Sequence, residues 1–336
     1  MINGHGDDLH RYGKGQIRSN FSTNIPTPAS HDDLMNYIAG RADVIRSYPE
    51  PEPITLERKI AEIEGTDSES VMVAAGATQA IYLIAESRRG SRSAIFAPTF
   101  REYQDACELA GHNLFFSDSI YGMRDSDNAW LCCPNNPTGQ SVPVDELIDF
   151  ISGRKRLNVI DAAYSSYTLK RTLTAAEAVE SHSTVMLKSL TKDFGVPGLR
   201  IGYAIGHPDL LRKIKQRRMP WAVGSIPIAA AEWLLDNRDK YAIDANALHE
   251  EALRLSAEMN RMGIATVETD TNFFLACLPE GRHAVDLKEW LAATRGMLIR
   301  DASNFHGLTP SHFRIAAQTP AEGNALIEAI NEWMQL

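Results

Sequence analysis

The chain has 336 residues, 44% of them apolar and 23% charged, with a formal net charge of −9. Such a composition excludes a disordered chain, and its acidic balance argues against a nucleic-acid protein, which needs a basic face. No apolar run approaches the ~18 residues of a membrane span, and the polar opening MINGHGDDLHRYGKG lacks a signal peptide's apolar core.

The length suggests one large domain and a smaller one. Residues 1–44 show no clear element and are expected as an arm packed on the C-terminal domain. From residue 45 onward, short apolar runs alternate with helical patterns. Leu56, Ile60 and Ile63 recur at helical spacing and stop at Gly65. Strands are expected at 71–74, 94–97, 129–133, 157–161, 185–187 and 201–205. They are nearly continuous in apolar residues, the pattern of strands covered on both faces. Gly76-Ala77-Thr78 opens a helix through Ile81, Leu83 and Ile84. Another begins near Pro143, with Asp145 and Glu146 in its first turn and Leu147, Ile148 and Ile151 on its apolar face. This alternation predicts an α/β domain with a large, mostly parallel sheet over 45–222. After Pro220 the texture changes to helices at 229–235, 249–262 and 321–334 and strands at 272–278 and 313–316. That reads as a small α+β domain over 223–336.

Common motifs are missing. Neither G-x-x-x-x-G-K-[ST] nor G-x-G-x-x-G occurs, and His249-Glu250 does not continue to H-E-x-x-H. Cys107, Cys132, Cys133 and Cys277 form no C-x-x-C pair. They read as buried thiols of a reducing, cytoplasmic compartment, and no metal site is expected.

The chemistry-bearing residues follow strands. Gly76, Ala77 and Thr78 offer free N–H groups at a helix start, which suits a phosphate, although alone the segment reads first as an ordinary tight turn. In Pro134-Asn135-Asn136-Pro137-Thr138-Gly139, prolines flank the Asn136 amide and aim it beyond the strand end. Asp161 ends a strand, and Tyr164 lies three residues on. Ser189-Leu190-Thr191-Lys192 places an amine among hydroxyls, and Arg200 follows a Pro-Gly pair. Together these match pyridoxal 5'-phosphate. Its aldehyde needs an amine nucleophile, here Lys192, and its ring nitrogen needs a carboxylate, here Asp161. The ring hydroxyl needs donors, for which Asn136 and Tyr164 are candidates. The phosphate needs Ser189, Thr191, Arg200 and the N–H groups near Ala77 and Thr78.

With P-N-N-P-T-G, D-x-x-Y, S-x-T-K and G-L-R in this order, the sequence resembles fold-type I pyridoxal-phosphate enzymes of the aspartate aminotransferase class. The resemblance implies that family's transferase fold and a homodimer with shared active sites. It puts Tyr48 on the neighbouring subunit's cofactor phosphate, Arg314 on the substrate acid, and Phe100, rather than Tyr103, against the cofactor ring. Two branches are most similar, threonine-phosphate decarboxylase of cobalamin side-chain synthesis and histidinol-phosphate aminotransferase. His5-Gly6 resembles the first branch's H-G-G-N, and the segment from Asn20 to Ile25 its D-F-S-A-N-I, which carries a substrate-binding role onto His5, Gly6 and Asn24. The segment from Met219 to Val223 resembles its M-P-W-S-V, and that from Leu298 to Asp301 its L-I-R-S, which adds Arg300.

The sequence departs from the pattern in several places. H-G-G-N is H-G-D-D here, which sets Asp7 and Asp8 where negative charge would oppose a phosphate. The usual acidic second residue of D-E-A-[FY] is Ala162, and Ala75 replaces an asparagine before Gly76. The segment between Phe116 and Trp130 is also short. The function implied is decarboxylation of O-phospho-L-threonine to (R)-1-amino-2-propanol phosphate. The alternatives are an aminotransferase of the histidinol-phosphate type and a non-catalytic cofactor-binding regulatory domain. The last is disfavoured because no basic helix-turn-helix segment precedes the substrate loop.

Overall fold

Short apolar runs form the strands and amphipathic stretches the helices, in a computed structural model that describes residues 6–26 and 30–336. His5 lies outside the described residues. In chain order, β1 (Ser19–Asn20) is followed by α1 (Asp32–Gly40), α2 (Ile54–Glu64), β2 (Val71–Ala74) and α3 (Ala77–Ser87). Next come β3 (Arg92–Phe96), α4 (Glu102–Leu109), β4 (Asn113–Ser117), β5 (Asn128–Cys132), α5 (Val144–Ser152) and β6 (Leu157–Asp161). Then α6 (Ala175–Glu180), β7 (Thr184–Lys188), α7 (Leu190–Asp193), β8 (Gly202–Gly206), α8 (Pro208–Lys215) and α9 (Ser225–Asp236) complete the first part. The second part contains α10 (Ala245–Arg261), β9 (Ala265–Thr266), β10 (Phe273–Cys277), α11 (Ala284–Arg295) and β11 (Met297–Leu298). It ends with β12 (Arg300–Asp301), β13 (His312–Ala316) and α12 (Pro320–Met334).

Seven strands form the large sheet in the order β2-β8-β7-β6-β5-β3-β4. From β7 to β4 every pair is parallel, and β8 alone runs against its two neighbours. Because side chains alternate along a strand, Val71 and Val73 enter one core cluster while Met72 and Ala74 enter the other. Both faces are therefore covered. One cluster takes Leu131, Ile160 and Met186 with Leu56 and Ile60 of α2. The other takes Trp130, Val159 and Leu187 with Ile81 and Ile84 of α3. The small sheet is β12-β13-β10-β9, antiparallel throughout.

Four features differ from the sequence expectation. Residues 32–40 form α1, which sets Leu34 into the large sheet's core. Helix α9, beyond the expected boundary at 222, buries Ala230, Ala231, Leu234 and Leu235 in that same core, so it covers the large sheet. Periodicity identifies such a helix but not the sheet it covers. Strand β4 was not expected, because an edge strand with half-exposed residues lacks a continuous apolar run. Ile63, expected on the buried face of α2, is also exposed.

Residues 6–26 lie along the small domain. Strand β1 pairs in parallel with β11, and Phe21 is fully buried among Phe274, Phe313 and Leu326. No helix of the described residues is long and apolar enough to cross a membrane.

Candidate active site

The carboxyl ends of the parallel strands point to one edge of the large sheet, where open α/β sheets place their ligands. The antiparallel β8 begins at that same edge, so Arg200, just before it, arrives beside residues that follow the other strands. There a cavity of about 280 Å³ is lined from both domains. It gathers Gly76, Ala77, Thr78, Phe100, Asn136, Asp161, Tyr164, Ser189, Thr191, Lys192 and Arg200 of the large domain. The arm contributes Gly6 and Asn24, and the small domain Arg300 and Arg314. Tyr48 is not among them. It is 84% exposed, with its ring 5.3 Å from that of Trp221.

One end of the cavity gathers donors that could hold a phosphate. Gly76, the N-cap of α3, has no side chain to cap the helix, and Ala77 and Thr78 of its first turn line the cavity. Gly76, with φ 83°, permits this approach, since a Cβ there would lie 2.8 Å from Arg200 Nη2. Arg200 itself has φ 53° and donates to the Pro197 carbonyl at 3.3 Å. Ser189 and Thr191 are buried beside it, and the Ser189 hydroxyl does not cap α7.

In the middle, Asp161 is 5% exposed at the last position of β6. Its Oδ2 accepts from the Tyr103 hydroxyl at 2.6 Å and its Oδ1 from the Ala163 N–H at 3.0 Å. Burial pushes this carboxyl up, against those two donors and the charge of Lys192. A cationic ring nitrogen would supply the missing countercharge. Lys192 is brought down to about 8, by burial first and then by the positive charges of Arg314 and Arg200. Tyr103 is committed to Asp161, and Phe100 lines the cavity edge-on to it at 5.8 Å.

The third region holds buried cations. Arg314 Nη1 donates to Asn136 Oδ1 at 2.6 Å, Nη2 donates to the Ser22 carbonyl, and Nε is buried without a partner among the described residues. Burial lowers this guanidinium to about 9. Arg300 Nη2 donates to Asn304 Oδ1 at 2.7 Å, and burial lowers it to about 10. An anion in contact would reverse both shifts. Asn24 is 1% exposed, and neither amide atom has a partner among the described residues. Buried polar groups left open in this way fit a site that a ligand completes.

The H-G-D-D departure resolves into two environments. Asp8 points away from the cavity, paired with Lys288 at 2.6 Å and Arg11 at 3.2 Å. Burial alone would raise its carboxyl, but Lys288 and Arg11 outweigh that and hold it low. It ties the arm to α11. Asp7 stays at the exposed rim and accepts from Asn20 Nδ2 at 2.7 Å. Sequence reading missed Tyr103 as the partner of Asp161, and also Ser22, Asn304 and Arg101. Pairings so far apart along the chain leave no local signal.

A phosphate cup, a depressed amine and a buried carboxylate in one cavity fit pyridoxal 5'-phosphate. The structure resembles that of L-threonine-O-3-phosphate decarboxylase from Porphyromonas gingivalis, with TM-score 0.91, 33% identity, and coverage of 95% of this chain and 100% of that one. Threonine-phosphate decarboxylase of Salmonella typhimurium is 27% identical, over 92% of this chain and 89% of its own. The fold also matches histidinol-phosphate aminotransferase from Sinorhizobium meliloti, solved with pyridoxal-5'-phosphate, at TM-score 0.85, 20% identity, and coverage of 100% and 95%. The family model "Aminotransferase class I and II" matches residues 19–330. The chain therefore belongs to the aminotransferase class I and II family, whose cofactor is pyridoxal 5'-phosphate.

Proposed function

We propose that the chain decarboxylates O-phospho-L-threonine to (R)-1-amino-2-propanol phosphate, a step of cobalamin side-chain synthesis. The observation that carries this reading is the pair of buried arginines, Arg300 and Arg314, in one cavity with Lys192 and outside the phosphate cup. A substrate with one carboxylate would need one of them. A phosphorylated amino acid gives both a partner. The similarities to threonine-phosphate decarboxylases support the same substrate class.

When bound, pyridoxal phosphate supplies an aldehyde for the substrate amine and an electron sink for the pair left by the departing carboxylate. The remaining work belongs to the chain. Ser189, Thr191, Arg200 and the α3 N-terminus hold the cofactor's phosphate. Asp161, fixed by Tyr103, keeps the ring nitrogen protonated. Asn136 and Tyr164 serve the ring hydroxyl. Arg300, Arg314 and Asn24, with Gly6 and His5 of the arm, anchor the substrate's acidic groups. Holding the phosphoryl end sets the rotation about Cα, so remote binding energy selects the bond that breaks. Lys192, with its amine near 8, returns the proton to Cα.

A homodimer completes the proposal. Exposed Ile45 and Tyr48 lie on one segment and exposed Met219 and Trp221 on another, joined by the contact between the Tyr48 and Trp221 rings. A second copy would cover this apolar patch and receive Tyr48. Free cysteines at all four positions suit a cytoplasmic home.

The test is carbon dioxide release from O-phospho-L-threonine, run beside glutamate formation from 2-oxoglutarate with histidinol phosphate. Release from the first substrate, lost in Lys192→Ala, is expected. Glutamate formation without carbon dioxide would replace this reading with an aminotransferase.

A further inference from the structure

Arg101 enters the cavity from the large domain and has no part in the machinery described above. It sits between β3 and α4. Its Nε donates to Asp105 Oδ1 at 3.1 Å, while its two terminal nitrogens make no hydrogen bond among the described residues. Its side chain is 37% exposed and that of Asp105 14%, so the pair is half-buried and joined by a single hydrogen bond through Nε. The guanidinium is therefore held loosely, at the rim of a cavity that must take up an anion.

Its surroundings place it at the seam between the domains. The small-domain segment 302–308 carries Asn304, the partner of Arg300, and Phe305, which lines the cavity. In the same segment, the His306 ring stacks on Phe116 of β4 with centroids 3.5 Å apart and planes 9° apart. Arg101, Phe116 and His306 line one small cleft beside the main cavity. The seam thus brings the loop that holds Arg300 against the region that holds Arg101. Arg300 already spends one bond on Asn304 and one on the Asp301 carbonyl. A phosphoryl dianion has three oxygens to satisfy, more than the remaining donors of Arg300 serve well.

We infer that Arg101 is a substrate-specificity residue, gripping the substrate's phosphoryl group from the large domain while Arg300 grips it from the small domain. This rests on the proposed phosphorylated amino-acid substrate and adds a residue that the proposed machinery lacks. On binding, the Arg101 guanidinium turns from Asp105 to the phosphoryl oxygens, and the charge is held from both sides of the seam.

The experiment uses the holoenzyme and steady-state kinetics with O-phospho-L-threonine, with inorganic phosphate as competitive inhibitor. Arg101→Ala is expected to raise KM and the inhibition constant for phosphate about 10- to 100-fold, the range for losing a charge-assisted hydrogen bond. The kcat should fall by less than KM rises, because Arg300 still holds the phosphoryl end and the rotation it sets. Arg101→Lys should recover part of KM, and cofactor absorbance should be unchanged in both. Should Arg101→Ala fold poorly, Arg101→Gln carries the same comparison. Unchanged KM and phosphate inhibition in an active variant overturn the inference while leaving the decarboxylase standing. Wild-type protein that neither releases carbon dioxide from phosphothreonine nor is inhibited by phosphate overturns both. Turnover of a different phosphorylated amino acid, with KM still raised in Arg101→Ala, overturns only the phosphothreonine reading and supports the inference.

Discussion

Lys192 and Asp161 are displaced in opposite directions by one cause, since burial disfavours the charged form of each. For the amine this is functional, because a nucleophile must be neutral near working pH. Without cofactor, Lys192 should acylate with a pH midpoint near 8, well below that of surface lysines, as followed by peptide mass spectrometry. Replacing Arg314 with Ala removes the second-largest cause of the shift, so the midpoint should move up. The stability sign follows from the same shift. Below about 8 the folded chain bears the full cost of a charged, poorly solvated amine, and that cost fades as pH rises toward the unfolded value of 10.5. Tyr103→Phe removes the 2.6 Å bond to Asp161, a charge-assisted contact worth ~1.5–3 kcal/mol. Cofactor affinity, measured by fluorescence quenching, should fall about 10- to 100-fold on that scale.

At the scale of elements, the loop after β5 shows why a short motif reads so well. Asn135 is its internal pin, accepting from Thr99 Oγ1 at 2.8 Å and donating to the Pro98 carbonyl at 2.9 Å, which leaves Asn136 for the cavity. Gly139, with φ 77°, has no room for a side chain, because a Cβ would lie 2.3 Å from the Phe273 carbonyl of the small domain. Gly139→Ala is expected to cost roughly 2–4 kcal/mol, from backbone strain and the clash together. A lowered melting temperature would check the stability cost, and a reduced kcat/KM the displacement of Asn136. The motif residues could be read from the sequence because each follows a strand and its local chemistry is self-contained. Strand β4 and helix α1 could not, because what orders them is a neighbour: β3 pairs with β4, and α9 packs on α1.

For the whole molecule, the proposed homodimer turns on Tyr48, which is exposed and does not line its own chain's cavity. Tyr48→Ala should therefore weaken cofactor binding only through an assembled partner. Mixing inactive Lys192→Ala chains with weakened Tyr48→Ala chains should restore activity after subunit exchange, because one mixed site draws its lysine and tyrosine from intact copies. Trp221→Glu places a charge in the exposed apolar patch and should shift sedimentation toward the monomer. No recovery on mixing, with exchange verified, would leave Tyr48 outside the neighbouring site.

That Asn136, Asp161 and Lys192 share one edge of the sheet can be read from the sequence, because each ends or follows a parallel strand, while Arg200 reaches that edge by preceding the antiparallel β8. The alternation of apolar runs sets the sheet, and whatever follows its strands must emerge at one edge. The amino-acid order is silent on which distant groups meet there. Tyr103 reaches Asp161 across 58 positions, Lys288 reaches Asp8 across 280, and Arg314 reaches Asn136 across 178. Packing of the two domains and the arm decides those encounters, because it alone sets which buried polar atoms share a volume too dry to leave them unpaired.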